Sequence, residues 1–197
     1  MKFTKILGLV AVAALALMAL ASTASAATLE TSGVKQTGAV AINASLTGSA
    51  TLSSTAGAFQ NTCGASTVSG TTTVFTGTPS GPVSTLSFSK CTHETVVVDS
   101  KGSLSVTRIG ETTNGTVFST GADVTVPVPN GFGGTVTVTC TTNNTDIGTL
   151  NGSATAATMT INAVLSCSGI LPTAKWTGTY ALKKNGGKEN HGIGVVA

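Results

Sequence analysis

Charge, aromatic rings and histidine are all scarce in this sequence. Asp, Glu, Lys and Arg together make up 9% of its 197 residues and aromatics 4%, with two histidines, one tryptophan and one tyrosine. The seven acids, Glu30, Glu94, Asp99, Glu111, Asp123, Asp146 and Glu189, are scattered and show no paired-carboxylate spacing. That argues against glycosidase-like or other two-carboxylate chemistry. No Gly-x-Ser-x-Gly elbow is present to hold a serine nucleophile. Close Cys-x-x-Cys pairs of a zinc site and the EF-hand pattern are missing too, so no metal or other cofactor is expected. The few aromatics cannot furnish the girdles of an outer-membrane barrel. Helical periodicity is absent after the first 26 residues; even Ala154 to Ala157 carries no amphipathic face.

The chain starts with an export signal. Lys2 and Lys5 precede an apolar stretch from Ile6 to Ala21, and Ala24-Ser25-Ala26 offers the small residues of a cleavage site. The apolar stretch is shorter than the roughly 20 residues a bilayer core needs. The sequence therefore predicts a signal peptide over 1–26, cleavage near Ala26, a β-sandwich domain over 27–182 and a polar Gly/Lys-rich C-terminal tail over 183–197. Without Lys2 and Lys5, eight basic residues face seven acidic ones. So even a balance carries no nucleic-acid footprint, and no second long apolar segment supplies a stable membrane anchor. The expected location is outside the cytoplasm, extracellular or periplasmic.

Four cysteines, Cys63, Cys91, Cys140 and Cys167, all follow the signal. In an oxidising compartment they read as two disulfides with three possible connectivities, and the near-equal spacings of 28 and 27 favour Cys63 with Cys91 and Cys140 with Cys167. Each loop so closed stabilises the fold by about 3–4 kcal/mol on the chain-entropy account.

Strand signals dominate from Val40 onward. Val136, Val138 and Cys140 alternate with Thr135, Thr137 and Thr139; Val124, Val126 and Val128 alternate with Thr125 and Pro127; Met159, Ile161, Ala163 and Leu165 do the same. Asn114-Gly115, Asn130-Gly131, Asn151-Gly152 and Asn185-Gly186 are hairpin-turn signals. The two cysteine loops look like copies of one unit. Each opens on Thr-Cys and closes on an alternating strand ending in Cys, Leu86 and Phe88 matching Ala163 and Leu165, with one extra residue just before Cys91 that a β-bulge would absorb. An internal duplication and simple compositional self-similarity both account for this. The expected fold is all-β, an antiparallel β-sandwich or jelly-roll-like pair of sheets held by two disulfides.

Few residues invite a chemical reading. His93 beside Glu94 is the one pair a hydrolase could use, while His191 with Lys183, Lys184 and Lys188 reads as a solvated end. Asn143, Asp146 and Asn151 offer oxygens to calcium, or form an ordinary Asx-rich turn. Leu171-Pro172-Thr173-Ala174 has the wrong order for a sortase signal. Thr135, Thr137, Thr139 and Thr141 form a hydroxyl ladder that suits a wet strand face, and also ice or glycans. Because the strands carry few lysines, edge-to-edge self-association is an option, with Val40 and Ile42 as a segment to donate.

Taken together, the export signal, the Thr/Ser/Gly-rich strands, the paired cysteines and the closing segment Cys167-Ser168-Gly169-Ile170-Leu171-Pro172 with Trp176 resemble the small secreted proteins named protein activators of alkane oxidation. That resemblance implies an exported, non-enzymatic accessory or matrix protein linked with growth on hydrocarbons or with biofilm. This chain departs from it by an additional cysteine-looped unit ahead of the matching segment. The expected function is binding or assembly without catalysis, the partner being an apolar ligand or another copy. The rivals are a fibre subunit built by β-strand addition and a secreted hydrolase resting on His93.

Overall fold

The computed structural model describes residues 26–55, 59–93, 95–129, 134–184 and 192–197. The expected export signal over 1–26 thus lies outside the described residues apart from Ala26. Fourteen strands follow: β1 (Ala27–Thr31), β2 (Val34–Lys35), β3 (Val40–Leu46), β4 (Ala50–Ser54), β5 (Gln60–Thr72), β6 (Thr76–Gly77), β7 (Ser80–Cys91), β8 (Val97–Arg108), β9 (Gly115–Pro129), β10 (Thr135–Thr141), β11 (Thr145–Asn151), β12 (Ala157–Cys167), β13 (Thr173–Lys184) and β14 (Ile193–Val196). All pairings are antiparallel, and the fold is all-β as the alternation predicts.

The larger sheet closes on itself. β3 and β4 act as one stave broken at Thr47–Ser49, since both lie between β5 on one side and β13 on the other. β10 and β11 likewise form one broken stave between β9 and β12. The neighbours then run β3/β4, β5, β7, β8, β9, β10/β11, β12, β13 and back to β3/β4, an eight-stave meander barrel. A jelly roll would need crossed-over neighbours; here each stave pairs with the next along the chain. Closure leaves the apolar alternation only one place to go, inward. In β12, Met159, Ile161, Ala163 and Leu165 are buried while Thr160, Asn162, Val164 and Ser166 face out.

Hydroxyls cover the outside. Thr67–Ser87 (2.6 Å), Thr125–Thr139 (2.8 Å), Thr51–Thr62 (3.2 Å) and Ser69–Ser84 (3.3 Å) are hydrogen-bonded pairs, the first three directly cross-strand. The ladder of Thr135, Thr137, Thr139 and Thr141 lies on this outer face, opposite in sense to Val138 and Cys140. Polarity therefore runs opposite to a lipid-facing barrel, which is apolar outside and polar within.

A small sheet closes one end of the barrel. β1 pairs with β14, β2 and β6, and Leu29, Ile193 and Val195 from it are buried in the main core. Backbone bonds tie it to the barrel loops: Leu29 N–H to Phe75 O (2.9 Å), Val195 N–H to Thr113 O (3.0 Å) and Ser153 N–H to Ile193 O (3.1 Å). This corrects the expected polar tail over 183–197. Lys183 and Lys184 finish β13, and Ile193–Val196 is a buried strand whose four residues are too short to show a period against the Gly-rich run before them. The same correction applies to β1, which precedes the first strand the sequence indicates.

Both disulfides follow the favoured connectivity, Cys63–Cys91 and Cys140–Cys167, and no described cysteine is free. Each joins directly opposed residues at the open base of a hairpin. The two Thr-Cys units repeat one geometry. Thr92 N–H donates to Thr62 O and Ser168 N–H to Thr139 O (2.8 and 2.9 Å). In return Thr62 N–H donates to Thr92 Oγ1 and Thr139 N–H to Ser168 Oγ (3.1 and 3.3 Å). The odd residue before Cys91 is accommodated at Lys90, whose φ of 55° lets Phe88 and the Cys63–Cys91 bridge both face inward three residues apart. Turn signals fared less well. Gly115 opens β9 and Asn151 closes β11, and the two Asn-Gly pairs meet through Gly152 N–H to Asn114 Oδ1 (2.9 Å). Asn130-Gly131 and Asn185-Gly186 lie outside the described residues.

Candidate functional site

An eight-stave barrel has an interior that large side chains can just fill. This sequence has few large side chains to spend there. Ala44, Ala50, Ala163 and Ala174 all point into the core, and the space they leave appears as two cavities of about 70 and 100 Å³. Val68, Val83, Leu104 and Met159 line both, so the cavities are successive sections of one lumen. The larger ends beneath Leu29 and Ile193 of the capping sheet. The smaller lies toward the disulfide end, where Leu86, Phe88, Leu104, Val124 and Trp176 form its wall. Trp176 meets Phe88 edge to face, ring centroids 6.1 Å apart at 71°.

The barrel wall is incomplete beside this smaller section. β7 and β8 pair only at Ser80↔Ser105, Gly81↔Leu104 and Pro82↔Ser103. Beyond that point β7 keeps only β5 as a neighbour, and β8 only β9. A bend in β8 accompanies the break. Pro82, the last residue of β7 paired to β8, turns its backbone polar groups toward β5, its carbonyl lying against Gly70, so its missing N–H is not a bond lost to β8. Gly102, next to Pro82's partner Ser103 in β8, has φ 62° and faces Gly121 at φ 71°, a paired left-handed bend that turns the β8–β9 hairpin. A Cβ on residue 102 would stand 2.5 Å from the Ala122 nitrogen, so only glycine fits. A seam with two unpaired strand edges thus opens onto an apolar lumen.

Polar groups inside are already engaged. Tyr180, fully buried, donates its hydroxyl to Ser66 Oγ at 3.1 Å. Burial pushes its phenol pKa up, an effect the Ser66 bond only partly offsets. Ser119 and Thr142 bond each other (3.0 Å), and Thr142 Oγ1 also accepts from Ala122 N–H (3.0 Å). Asn61 Oδ1 accepts from His93 N–H (3.3 Å) and Thr92 Oγ1 (3.5 Å). No buried side-chain polar atom among the described residues lacks a partner. Among the described residues one charged side chain lines the lumen, that of Lys101, which pairs with Ala122 at the Gly102–Gly121 bend. It makes no hydrogen bond or ion pair with any described residue.

The residues singled out for chemistry are not brought together. His93 is exposed, its ring 6.2 Å from Phe59, and its described polar contact is through the backbone to Asn61. Glu94 and His191 lie outside the described residues. Asp146 Oδ1 accepts from Gly148 N–H (3.0 Å) and Asn143 N–H donates to Thr145 Oγ1 (3.1 Å), the bonding of an Asx/ST turn. Asn151 ends β11 away from them, and among the described residues no group of three or more His, Cys, Asp or Glu could hold a metal ion. Phe88 was legible as an inward strand position, but Lys101 and the seam itself carry no recognisable local pattern, since their meeting with it depends on closure of the ring.

Compared with known proteins, the chain matches no family model, and no curated protein or solved structure is significantly similar to it.

Proposed function

We propose that this protein is a non-catalytic, exported binding protein that takes a small apolar molecule into the barrel lumen through the β7–β8 seam. The observation carrying the reading is a largely apolar lumen joined to the surface where the wall is unpaired. Apolar burial is the driving force available there, because the inner polar groups already have partners. Export rests on the leader over 1–26 and on the two disulfides, and no helix among the described residues is long and apolar enough to cross a membrane. An apolar-ligand role also suits the resemblance to alkane-oxidation activators, which implies work on hydrocarbons.

Trp176, the only tryptophan, lines the cavity and reports its contents. Titration with benzene or hexane should shift its emission saturably and raise the melting temperature. Absence of both responses for every small apolar compound overturns the reading.

The unpaired edges favour one other reading, acceptance of a β-strand from another copy in the seam. Val40 and Ile42 are not the spare donor, since β3 is paired on both sides within the chain. Filaments of purified protein in electron micrographs would favour strand addition; a monomer at high concentration would exclude it.

A further inference from the structure

Resting on the lumen reading, we infer that the preferred ligand is a small anionic amphiphile, a carboxylate on a short alkyl or aryl group, oriented by Lys101 at the seam. Three observations lead there. Among the described residues, Lys101 is the only charged one on either section of the lumen wall. Its side chain is exposed and makes no hydrogen bond or ion pair with any described residue, so its ammonium is open to an incoming anion while its methylene stem extends the apolar wall. The polar lining groups deeper in, Asn61, Ser119 and Thr142, are bonded to protein. A ligand's polar end therefore finds its partner at the mouth and its tail inside.

The placement of Lys101 is built by the backbone. In strict alternation with Leu104 and Val106 it would face away from the lumen. The register shift between Val98 and Ser100 and the left-handed Gly102 turn it beside Ala122, which also lines the cavity. Ligand size follows from volume. An aliphatic-lined cavity of ~150 Å³ holds benzene; the sections here, about 70 and 100 Å³, are each smaller and together comparable. A tail of about six carbons fits by that measure, provided it passes between the sections. Met159, unbranched and shared by both walls, is the side chain best able to move aside.

The test compares hexanoate, hexanol and hexylamine by Trp176 emission and melting temperature, using the oxidised protein at low salt. The native protein should bind hexanoate about three- to tenfold tighter than hexanol, the size expected of a rim charge. Lys101→Met, which keeps the stem, should bind the two alike, and Lys101→Glu should prefer hexylamine. Equal binding of hexanoate and hexanol by the native protein, or a preference that survives in Lys101→Met, overturns this inference and leaves the lumen reading standing. If no member of the series binds, both fall.

Discussion

The hairpin that ends at Cys91 and the one that ends at Cys167 are built alike and finish differently. Each is stapled at its base, each repeats the reciprocal Thr-Cys hydrogen bonds, and each is followed after five residues by the next stave, β8 from Val97 or β13 from Thr173. They stand on opposite sides of the ring. Yet β12 pairs with β13 from Ala157↔Leu182 to Ser166↔Thr173, whereas β7 and β8 part after Pro82↔Ser103. The zipped side shows what the unit does when nothing interferes. The open side shows the same unit with its ladder ending where β8 bends through a pair of left-handed glycines. The proposed site lies in the unit whose ladder is broken.

Removing the staples tests the shared part of that comparison and carries the largest expected effect. Cys63→Ala/Cys91→Ala and Cys140→Ala/Cys167→Ala should each cost about 3–4 kcal/mol, a fall of roughly 10 °C in Tm for a chain of this length. Thermal melts of the two double variants and of the parent check it. The first pair should also abolish the Trp176 response to ligand, since β7 on the open side has only β5 and the disulfide to hold it. The second should spare the response below its melting range.

Next in size are two glycines, one on each side. Gly102→Ala forces a side chain into φ 62° and against the Thr120 and Ala122 backbone, and should destabilise by about 2–3 kcal/mol. Gly178→Ala on the zipped side meets Ala50 Cβ at 3.3 Å and Tyr180 Cε2 at 3.4 Å without any special φ, so its cost should stay under about 1 kcal/mol. Equal costs in chemical denaturation would mean that the bend is not the special feature of the open side.

Tyr180 bridges the broken β3/β4 stave to reach Ser66 on β5. Tyr180→Phe should lose about 1 kcal/mol. The raised pKa makes the parent's stability depend on alkali. The contribution is fully present below the ordinary tyrosine value of 10.0 and erodes above it, as the unfolded chain releases a proton that the buried phenol retains. Melts between pH 9 and 11 should therefore fall more steeply for the parent than for Tyr180→Phe. Parallel slopes would contradict the burial argument.

Much of the fold was legible because period-two alternation survives in the long staves: β12 reads its inside and outside directly from Met159 to Ser166. The disulfide pairs were legible for a related reason, since equal loops reflect equal hairpins. Closure was not. Nothing local in β13 says that Tyr180 pairs with Met159 on one side and Leu46 on the other, so the same strands read equally well as two packed sheets. The short capping strands β1 and β14 escaped notice for want of length. The entrance was hidden most deeply of all, because Pro82 and Gly102 are twenty residues apart and each alone is an ordinary strand defect.

The smallest expected effect separates those two defects. Pro82→Thr removes the ring at the last rung shared by β7 and β8, adds an N–H on the edge that faces β5, and leaves the Gly102–Gly121 bend intact. If the bend sets the direction of β8, stability should change by less than about 0.5 kcal/mol and hydrogen exchange at Val83–Phe88 should keep its parental pattern, with seam-facing amides unprotected. Ligand uptake should then persist. Should protection instead spread down β7 and the Trp176 response vanish, the proline ring alone holds the wall open, and the glycine bend merely accommodates a gap made elsewhere.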